Sequence, residues 1–358
     1  MNIRIAIATV VGCVAVLPIM GLGPEYVGSA ATLQKGKPPK PPLTEIATLS
    51  KLPSLGGNAE AHAVNEAGTV VVGHSFDRAG LLYAVTWTMQ NGSWVIAKLP
   101  YAGKAAQANG VDNDGDVVGR VGSFPGFPAL WPAGAGYAPL GCANEAGEAH
   151  AISADGELVV GQSAGHAVAW PLSALCTEYL QPLVSGIFAA ASAVNADGSI
   201  IGGRAAREQG AAVAVRWTGP AGARLIEELD SRPGTVRGAN PAGDLAGHVT
   251  NGCALEEGCE QAAIWYAGGG SPRYLETLGG AHSWALDINA AGEVVGISTS
   301  SQGVNTAFFW SEATAMLKLP ANKWGVANAV SEVRSDGTRL VVGTDAQANA
   351  VVWLVRTP

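Results

Sequence analysis

Residues Ala285–Gly296, which read ALDINAAGEVVG, and residues Thr306–Trp310, which read TAFFW, contain the pattern that decides the fold. Alternating apolar residues with many β-branched side chains predict two strands, and the turn closed by Gly292 predicts that they form a hairpin. The second segment predicts a third strand that ends at Trp310. One unit of this pattern is therefore expected to be a small antiparallel sheet.

The same unit recurs seven times between Leu43 and the end of the sequence. Each copy has a four-residue turn that begins with a polar residue and ends with Gly, which tolerates positive φ. A second Gly closes the following strand, and a Trp ends the third strand. The turn glycines are Gly68, Gly115, Gly156, Gly198, Gly243, Gly292 and Gly337; the second glycines are Gly73, Gly119, Gly161, Gly203, Gly247, Gly296 and Gly343; the tryptophans are Trp87, Trp131, Trp170, Trp217, Trp265, Trp310 and Trp353.

A fourth short strand is predicted between each Trp and the next copy. Four strands at a period of about 40–50 residues are typical of a β-propeller blade. Only five residues follow Trp353, too few for a fourth strand, whereas residues 44–49 read as a fourth strand without a blade before it. Pairing the two ends would close the ring and remove exposed strand edges.

We therefore predict an all-β fold, a seven-bladed β-propeller of four-stranded antiparallel blades over residues 43–358. In this fold the N-terminal strand completes the last blade. The composition agrees, because 48 Gly and only 14% charged residues indicate many tight turns between buried strands. An open solenoid is the alternative, and it would leave both ends uncapped.

Residues 1–30 have the features of a secretory signal peptide, with Arg4 before an apolar stretch and small residues before the expected cleavage point. Pro18 and Gly21 interrupt the apolar stretch, which disfavours the alternative of a permanent membrane helix. A lipid anchor at Cys13 is a further alternative. Residues 31–42 form a basic, Pro-rich linker. The chain is therefore expected to be secreted, to the periplasm or the cell exterior of a bacterium.

Four of the five cysteines remain after removal of the signal peptide. An even number of cysteines in an exported chain indicates disulfides. Cys253 and Cys259 lie in one loop of the fifth copy and are predicted to pair with each other. A metal site at these cysteines is not expected, because no second pair has suitable spacing. The pairing state of Cys142 and Cys176 is left open.

The repeat resembles a known family, the bacterial extracellular HAF repeat. The resemblance rests on A-x-D-I-N-x-x-G-x-V-V-G followed by x-A-x-x-W, as in Ala285–Gly296 and Ala307–Trp310. His166–Trp170, which reads HAVAW, is the copy closest to the element that names the family, although Val168 replaces its aromatic residue. The resemblance covers nearly the whole mature chain and implies a secreted, propeller-like protein. It implies no catalytic motif.

Two short motifs suggest chemistry and have simpler explanations. Gly161–Gly165 matches the G-x-S-x-G motif of a serine nucleophile, but it lies between two strands of one copy and reads as a hairpin loop. Asp112–Asp116 concentrates three carboxylates, as a calcium loop does, but it reads as one of the seven turns with extra charge. We therefore predict no catalytic residue, no metal ligand and no cofactor.

The phase of the repeat brings polar residues to one face of the predicted ring. In each copy the first strand starts, and the second strand ends, on this face. The face contains cationic and imidazole side chains, which bind acidic or hydroxylated ligands. In the seventh copy the phase selects Ser331 on the first strand. The predicted ligand-binding residues are His62, His74, Asn109, Arg120, His150, Arg204, Arg237 and His248.

These observations predict a secreted, non-catalytic binding or scaffold protein whose partner is a polysaccharide or another cell-surface ligand. The net charge of −8 argues against binding nucleic acid or a membrane surface. The alternative is a secreted lyase or hydrolase with its site at the channel mouth, for which Asp287 and Glu332 are the acids at the right phase. Trp284 and Trp324 lie on the same face, where they either stack on sugar rings or pack. The oligomeric state is not predicted.

Overall fold

The computed structural model describes residues 47–357 except 104, 124–125, 142–144, 175, 209, 254–255 and 322–323, and it does not describe the side chains of 251–258. The predicted signal peptide and linker lie outside the described residues. Residues Leu43–Pro358 form one compact unit. Nowhere in the described part of the chain does a helix have the length and apolar character needed to cross a membrane.

The described residues form seven antiparallel blades around a channel. Blades one to seven contain strands β2–β5, β6–β9, β10–β13, β14–β17, β17–β20, β21–β24 and β25–β27 with β1. In chain order the strands are β1 Ala47–Lys51, β2 Gly56–Val64, β3 Val70–Asp77, β4 Leu82–Gln90, β5 Ser93–Lys98, β6 Ala106–Val111, β7 Val117–Val121, β8 Phe127–Trp131, β9 Ala138–Pro139, β10 Gly147–Ile152, β11 Leu158–Ser163, β12 His166–Pro171, β13 Glu178–Tyr179, β14 Ala189–Val194, β15 Ile200–Ala206, β16 Ala212–Thr218, β17 Leu225–Ala239, β18 Leu245–Cys253, β19 Glu256–Trp265, β20 Arg273–Tyr274, β21 Gly279–Ile288, β22 Val294–Ser300, β23 Asn305–Ser311, β24 Ala315–Lys318, β25 Gly325–Val330, β26 Thr338–Asp345 and β27 Ala350–Arg356.

The N-terminal strand closes the ring, as predicted. Strand β1 pairs antiparallel with β27, so that Leu49 lies opposite Trp353. The last sheet has the order β1-β27-β26-β25 and thus combines both ends of the chain. Because β1 covers the edge of β27, that edge does not present unpaired N–H and C=O groups.

Each blade has a β-bulge between its first and second strands, and the bulge explains the second glycine of the repeat. Gly73 lies inside β3, opposite the bulge, and does not close the strand as the sequence suggested. A Cβ atom at Gly73 would lie 2.0 Å from the carbonyl oxygen of Glu60, closer than any side chain allows. The six equivalent glycines show the same approach, at 1.9–2.1 Å. Only Gly fits opposite the bulge.

The seven repeat tryptophans form the core between blades, as their phase predicted. Trp217, for example, is fully buried and packs in one cluster with Val160 and Ala167 of the preceding blade. Its indole Nε1–H donates to the carbonyl of Gln181 at 2.7 Å, just before the blade's first strand. An aromatic side chain buried in this way contributes both apolar area and a hydrogen bond to the contact between blades.

Candidate functional site

The bulge residue of each first strand directs its side chain into the channel. We call these seven residues the bulge ring, and they line both cavities of the channel. One cavity, the upper chamber, has a volume of about 420 Å³ and is also lined by Glu60 and Glu148. The other, the lower chamber, has a volume of about 190 Å³ and includes Asp287 and Glu332. The bulge ring consists of His62, Asn109, His150, Ser192, Arg237, Leu286 and Asn328.

The seventh member of the ring is Asn328, and the prediction of Ser331 was wrong. Nine positions separate Asn328 from Gly337, whereas six separate His62 from Gly68, so the seventh turn is three residues longer. Ser331 is fully buried, and its Oγ accepts a hydrogen bond from the backbone N–H of Leu340 at 2.9 Å. It therefore occupies the first position of the turn and does not reach the channel.

Five side chains of the bulge ring tie each blade to the next. Each donates to the backbone carbonyl that precedes the bulge residue of the following blade. These side chains therefore both line the channel and connect neighbouring blades. A carbonyl oxygen only accepts, so the bonded Nδ1 of each histidine must have the proton. The pairs are His62 Nδ1 to Ala108 O (2.8 Å), Asn109 Nδ2 to Ala149 O (2.9 Å), His150 Nδ1 to Ala191 O (2.7 Å), Ser192 Oγ to Val236 O (2.9 Å) and Asn328 Nδ2 to Ala61 O (2.8 Å).

In blades one to three, carboxylates accompany the predicted cations. Arg120 Nε lies 3.4 Å from Glu148 Oε1, which also accepts a hydrogen bond from Asn109 at 2.7 Å. His62 Nε2 lies 3.6 Å from Glu60 Oε2, and the His62 and His74 rings are 5.0 Å apart. Burial lowers the pKa of His74 to about 4, so this ring is neutral at neutral pH.

Arg204 and Arg237 differ from Arg120, because neither has an ion pair or hydrogen bond within the described part of the chain. Both residues have solvent-exposed surface, although protein atoms surround much of the Arg237 guanidinium, and the Arg204 guanidinium lies 5.1 Å from the ring centre of Phe188. Burial lowers the pKa of Arg237, and the positive charge of Arg204 acts in the same direction, so the two charges interact. Arginine nevertheless stays charged in proteins. Arg237, which lines the upper chamber, and Arg204 therefore contribute two positive charges that no ion pair among the described residues offsets.

His248 lies next to this pair and does not add a third charge. Burial, together with the charges of Arg237 and Arg204, lowers its pKa to about 4. His150 is affected by the same two arginines, and burial is again the main cause of its lowered pKa. The structure thus divides the predicted residues in two. His62, His74, Arg120 and His248 lie beside acids, the last with its Nε2 3.7 Å from Glu260 Oε1, whereas Arg204 and Arg237 form no ion pair among the described residues.

Sequence reasoning missed Glu60 and Glu148, the two acids of the upper chamber. Each lies two residues before a bulge histidine, in the repeated tripeptide Glu-Ala-His at residues 60–62 and 148–150. Residues two apart in a strand share a face, so this tripeptide was the signal that would have identified them.

The acids proposed for an enzyme, Asp287 and Glu332, lie in the lower chamber and not with Arg204 at the predicted mouth. The Asp287 carboxylate accepts hydrogen bonds from the backbone N–H of Val330 and Ile288, both at 2.9 Å. Burial raises the pKa of Asp287 to about 7. Glu332 accepts from the N–H of Ala290 at 2.8 Å. Both acids thus help to hold the backbone around the lower chamber.

The other motifs have structural roles in the described residues. Ser163 is 2% exposed at the end of β11, and its Oγ donates to Glu145 and to the carbonyl of Ala146, as expected for a hairpin. Asp112 Oδ1 accepts three backbone N–H groups of its own turn. Trp284 stacks on His282 and donates to Glu260 at 2.8 Å. Trp324 is 38% exposed.

No family model matches the chain, and neither does any curated protein. Among solved structures, the chain is similar to the β-propeller domain of the Trilobed protease from Pyrococcus furiosus, with a TM-score of 0.54 and 10% identity over 83% of this chain and 93% of that one. It is also similar to TolB from Acinetobacter baumannii (TM-score 0.45, 12% identity, 80% of each chain) and to a putative TolB from Agrobacterium tumefaciens (0.42, 14%, 57% and 72%). The similarity to the first of these structures supports the β-propeller fold and gives no information on ligands.

Proposed function

We propose that this β-propeller is an exported, non-catalytic binding protein that holds an anionic polysaccharide at its upper chamber. The observation that carries the proposal is the pair Arg204 and Arg237, which has no acidic partner among the described residues. An arginine fork binds carboxylate groups with two parallel hydrogen bonds, so two adjacent forks suit a chain of uronic acids.

The upper chamber also has the size and the polar lining that such a ligand needs. Its volume of about 420 Å³ lies within the range of small-ligand pockets and suits the end or a short stretch of a sugar chain. Asn109, Ser192 and Asn328 line it and offer amide and hydroxyl groups to sugar hydroxyls. The chamber thus combines the cation Arg237 with neutral polar groups and with the carboxylates of Glu60 and Glu148.

Export and the resemblance to the HAF repeat are part of the same proposal. Residues 1–30 support export, and the disulfide proposed for Cys259 agrees with export, since disulfides persist in oxidising compartments. Cys253 is the partner we propose for Cys259; its side chain lies outside the described residues. The motif in Ala285–Trp310 supports membership in the HAF-repeat family.

The test compares two double variants of equal charge on immobilised polygalacturonate. We expect Arg204→Ala/Arg237→Ala to lose retention, by about tenfold or more in apparent affinity, because both forks are removed. Arg207→Ala/Arg273→Ala is the matched control and is expected to bind like the wild type, since these arginines pair with Glu228 and Glu312. Equal retention of both double variants would contradict the proposal. Arg120 is left intact because Glu148 already neutralises it.

The same experiment separates binding from the alternative of a lyase or hydrolase. Asp287 favours this second candidate, because a carboxyl group with a pKa of about 7 can donate a proton near neutral pH. We expect the polygalacturonate eluted from the wild-type protein to keep its chain length. Shortened chains that disappear with Asp287→Asn would establish the enzyme instead.

A further inference from the structure

We propose that Glu60, His62 and His74 of the first blade form a binding site for a divalent transition-metal ion, with Zn²⁺ as the reference ion. Each residue offers one ligand atom, and the three atoms lie within 4.8 Å of one another. Two imidazoles and one carboxylate are the donor set of many protein sites for zinc and for non-haem iron. The proposal does not rest on the proposed polysaccharide binding, although Glu60 and His62 line the same chamber.

The backbone of the first blade brings the three side chains together. Glu60 and His74 are direct partners across β2 and β3, and the bulge places His62 beside them. Zinc ligands lie about 2.0–2.2 Å from the ion, so the donors must move slightly closer together. Glu60 can make this movement, because 44% of its side chain is exposed.

His62 already has the tautomer that a metal ligand requires. Its Nδ1–H donates to the carbonyl of Ala108 at 2.8 Å, so the lone pair lies on Nε2, 3.6 Å from Glu60 Oε2. A hydrogen bond from the non-ligating nitrogen to a backbone carbonyl is the usual outer-shell contact of a metal-bound histidine.

His74 is the most buried of the three residues, and one of its ring nitrogens has no hydrogen-bond partner among the described residues. The residue is 9% exposed, and its buried Nδ1 has no hydrogen-bond partner within the described part of the chain. Most buried polar side-chain atoms in proteins are paired, so this ring lacks the contacts that usually explain a buried histidine. Within the described residues, therefore, no hydrogen bond of His74 Nδ1 competes with an ion for this nitrogen.

The third blade provides an internal comparison for the proposed metal site of the first blade. Glu148 and His150 repeat the first two positions, and His150 donates to Ala191 as His62 does to Ala108. Gln162, however, pairs with Glu148 where His74 pairs with Glu60. Glu148 is also occupied by Asn109 and Arg120, whereas the one ion pair of the Glu60 carboxylate among the described residues is with His62. The third blade thus lacks both a second imidazole and a free carboxylate.

Neighbouring charges permit a cation at this place. Arg120 is near enough to affect His74, but its guanidinium forms an ion pair with Glu148 at 3.4 Å. Glu60 and His62 also line the upper chamber, so an ion held by the three residues can keep an open position toward the channel.

The test is direct metal binding by the mature protein, produced without a polyhistidine tag and stripped with EDTA. We expect titration with Co²⁺ to give visible absorption bands at one ion per chain, and Zn²⁺ to displace that ion. His74→Gln, which copies the third blade, and Glu60→Gln are each expected to weaken Zn²⁺ binding by about tenfold or more. His150→Gln is the matched control and is expected to keep wild-type affinity.

Two results would overturn the proposal. One is the absence of stoichiometric Co²⁺ or Zn²⁺ binding by the wild-type protein at micromolar ion concentrations. The other is equal Zn²⁺ affinity in His74→Gln, Glu60→Gln and His150→Gln. Circular dichroism and the unfolding midpoint of each variant establish that it is folded, and the two first-blade variants are judged together, so that one misfolded variant does not decide the outcome.

Discussion

At the scale of single residues, the β-bulge is the feature on which both fold and channel depend. It takes one residue per blade out of the regular pairing and turns that side chain toward the axis. It also draws the carbonyl of the residue two positions earlier against the second strand, where only Gly fits. In the sixth blade this carbonyl is that of Trp284, and a Cβ atom on Gly296 would lie 1.9 Å from it.

Substitution of Gly296 tests this role. We expect Gly296→Ala to lower the free energy of unfolding by about 2–3 kcal/mol, because the two strands must separate to admit the methyl group. Gly136→Ala is the control, since a Cβ atom there meets nothing within 4 Å. Its expected change is below about 0.5 kcal/mol. Urea denaturation measures both, and equal midpoints would show that the bulge tolerates a side chain.

At the scale of elements, strand β17 is an exception, because it belongs to two blades and changes the hydrogen bonding of a core tryptophan. Its first half pairs with β16 of blade four and its second half with β18 of blade five. In five other blades the core Trp donates to a group in the segment just before that blade's first strand, such as Pro53 or Pro320. Trp265 Nε1 in blade five is buried without a partner in the described residues. Because β17 runs without a break from blade four into blade five, no separate segment precedes the first strand of blade five.

Two tryptophan substitutions are therefore expected to differ. Trp217→Phe removes a 2.7 Å hydrogen bond and leaves the carbonyl of Gln181 without it, whereas Trp265→Phe removes an unsatisfied N–H group. The loss of packing area is similar in the two. We expect Trp217→Phe to cost about 1–2 kcal/mol more than Trp265→Phe in free energy of unfolding. Equal costs in chemical denaturation would mean that the indole bonds contribute nothing to blade contacts.

At the scale of the whole molecule, closure of the ring joins residues from the two ends of the chain. Strand β1 completes the last sheet, and Asn328 of blade seven donates to Ala61 of blade one at 2.8 Å. The channel therefore has a continuous wall of seven first strands. Both the upper chamber and the proposed metal site in blade one depend on this closure, because Asn328 holds the backbone next to His62.

Deletion of residues 47–51 tests closure. We expect the shortened protein to unfold at a lower temperature and to self-associate, because the edge of β27 is then exposed for pairing with another chain. A synthetic peptide of residues 44–52, added in trans, is expected to restore the unfolding temperature. The measurements are calorimetry and light scattering. An unchanged transition temperature without self-association would show that β1 is dispensable for the ring.

Much of the fold was predictable from local patterns, because each blade repeats the same short-range signals. The turn with its Gly, the alternating apolar residues and the terminal Trp of Ala285–Trp310 depend on neighbours a few residues away, so they can be read without a structure. Repetition then implies a ring, since each blade must bury its faces against two others. The missing fourth strand after Trp353 even indicated how the ring closes.

The site, in contrast, was decided by tertiary structure. Sequence phase placed Arg120 and Arg204 on the same face of the ring, but only the folded ring places Glu148 of the next blade against Arg120 and leaves Arg204 without an ion pair among the described residues. The repeat pattern of the sequence could not locate the three extra residues of the seventh turn. Because of these residues, Asn328 and not Ser331 faces the channel. The physical reason is distance along the chain. Charge pairing and ligand geometry depend on contacts between strands and blades, and a repeat pattern determines which positions are equivalent but not what lies beside each one.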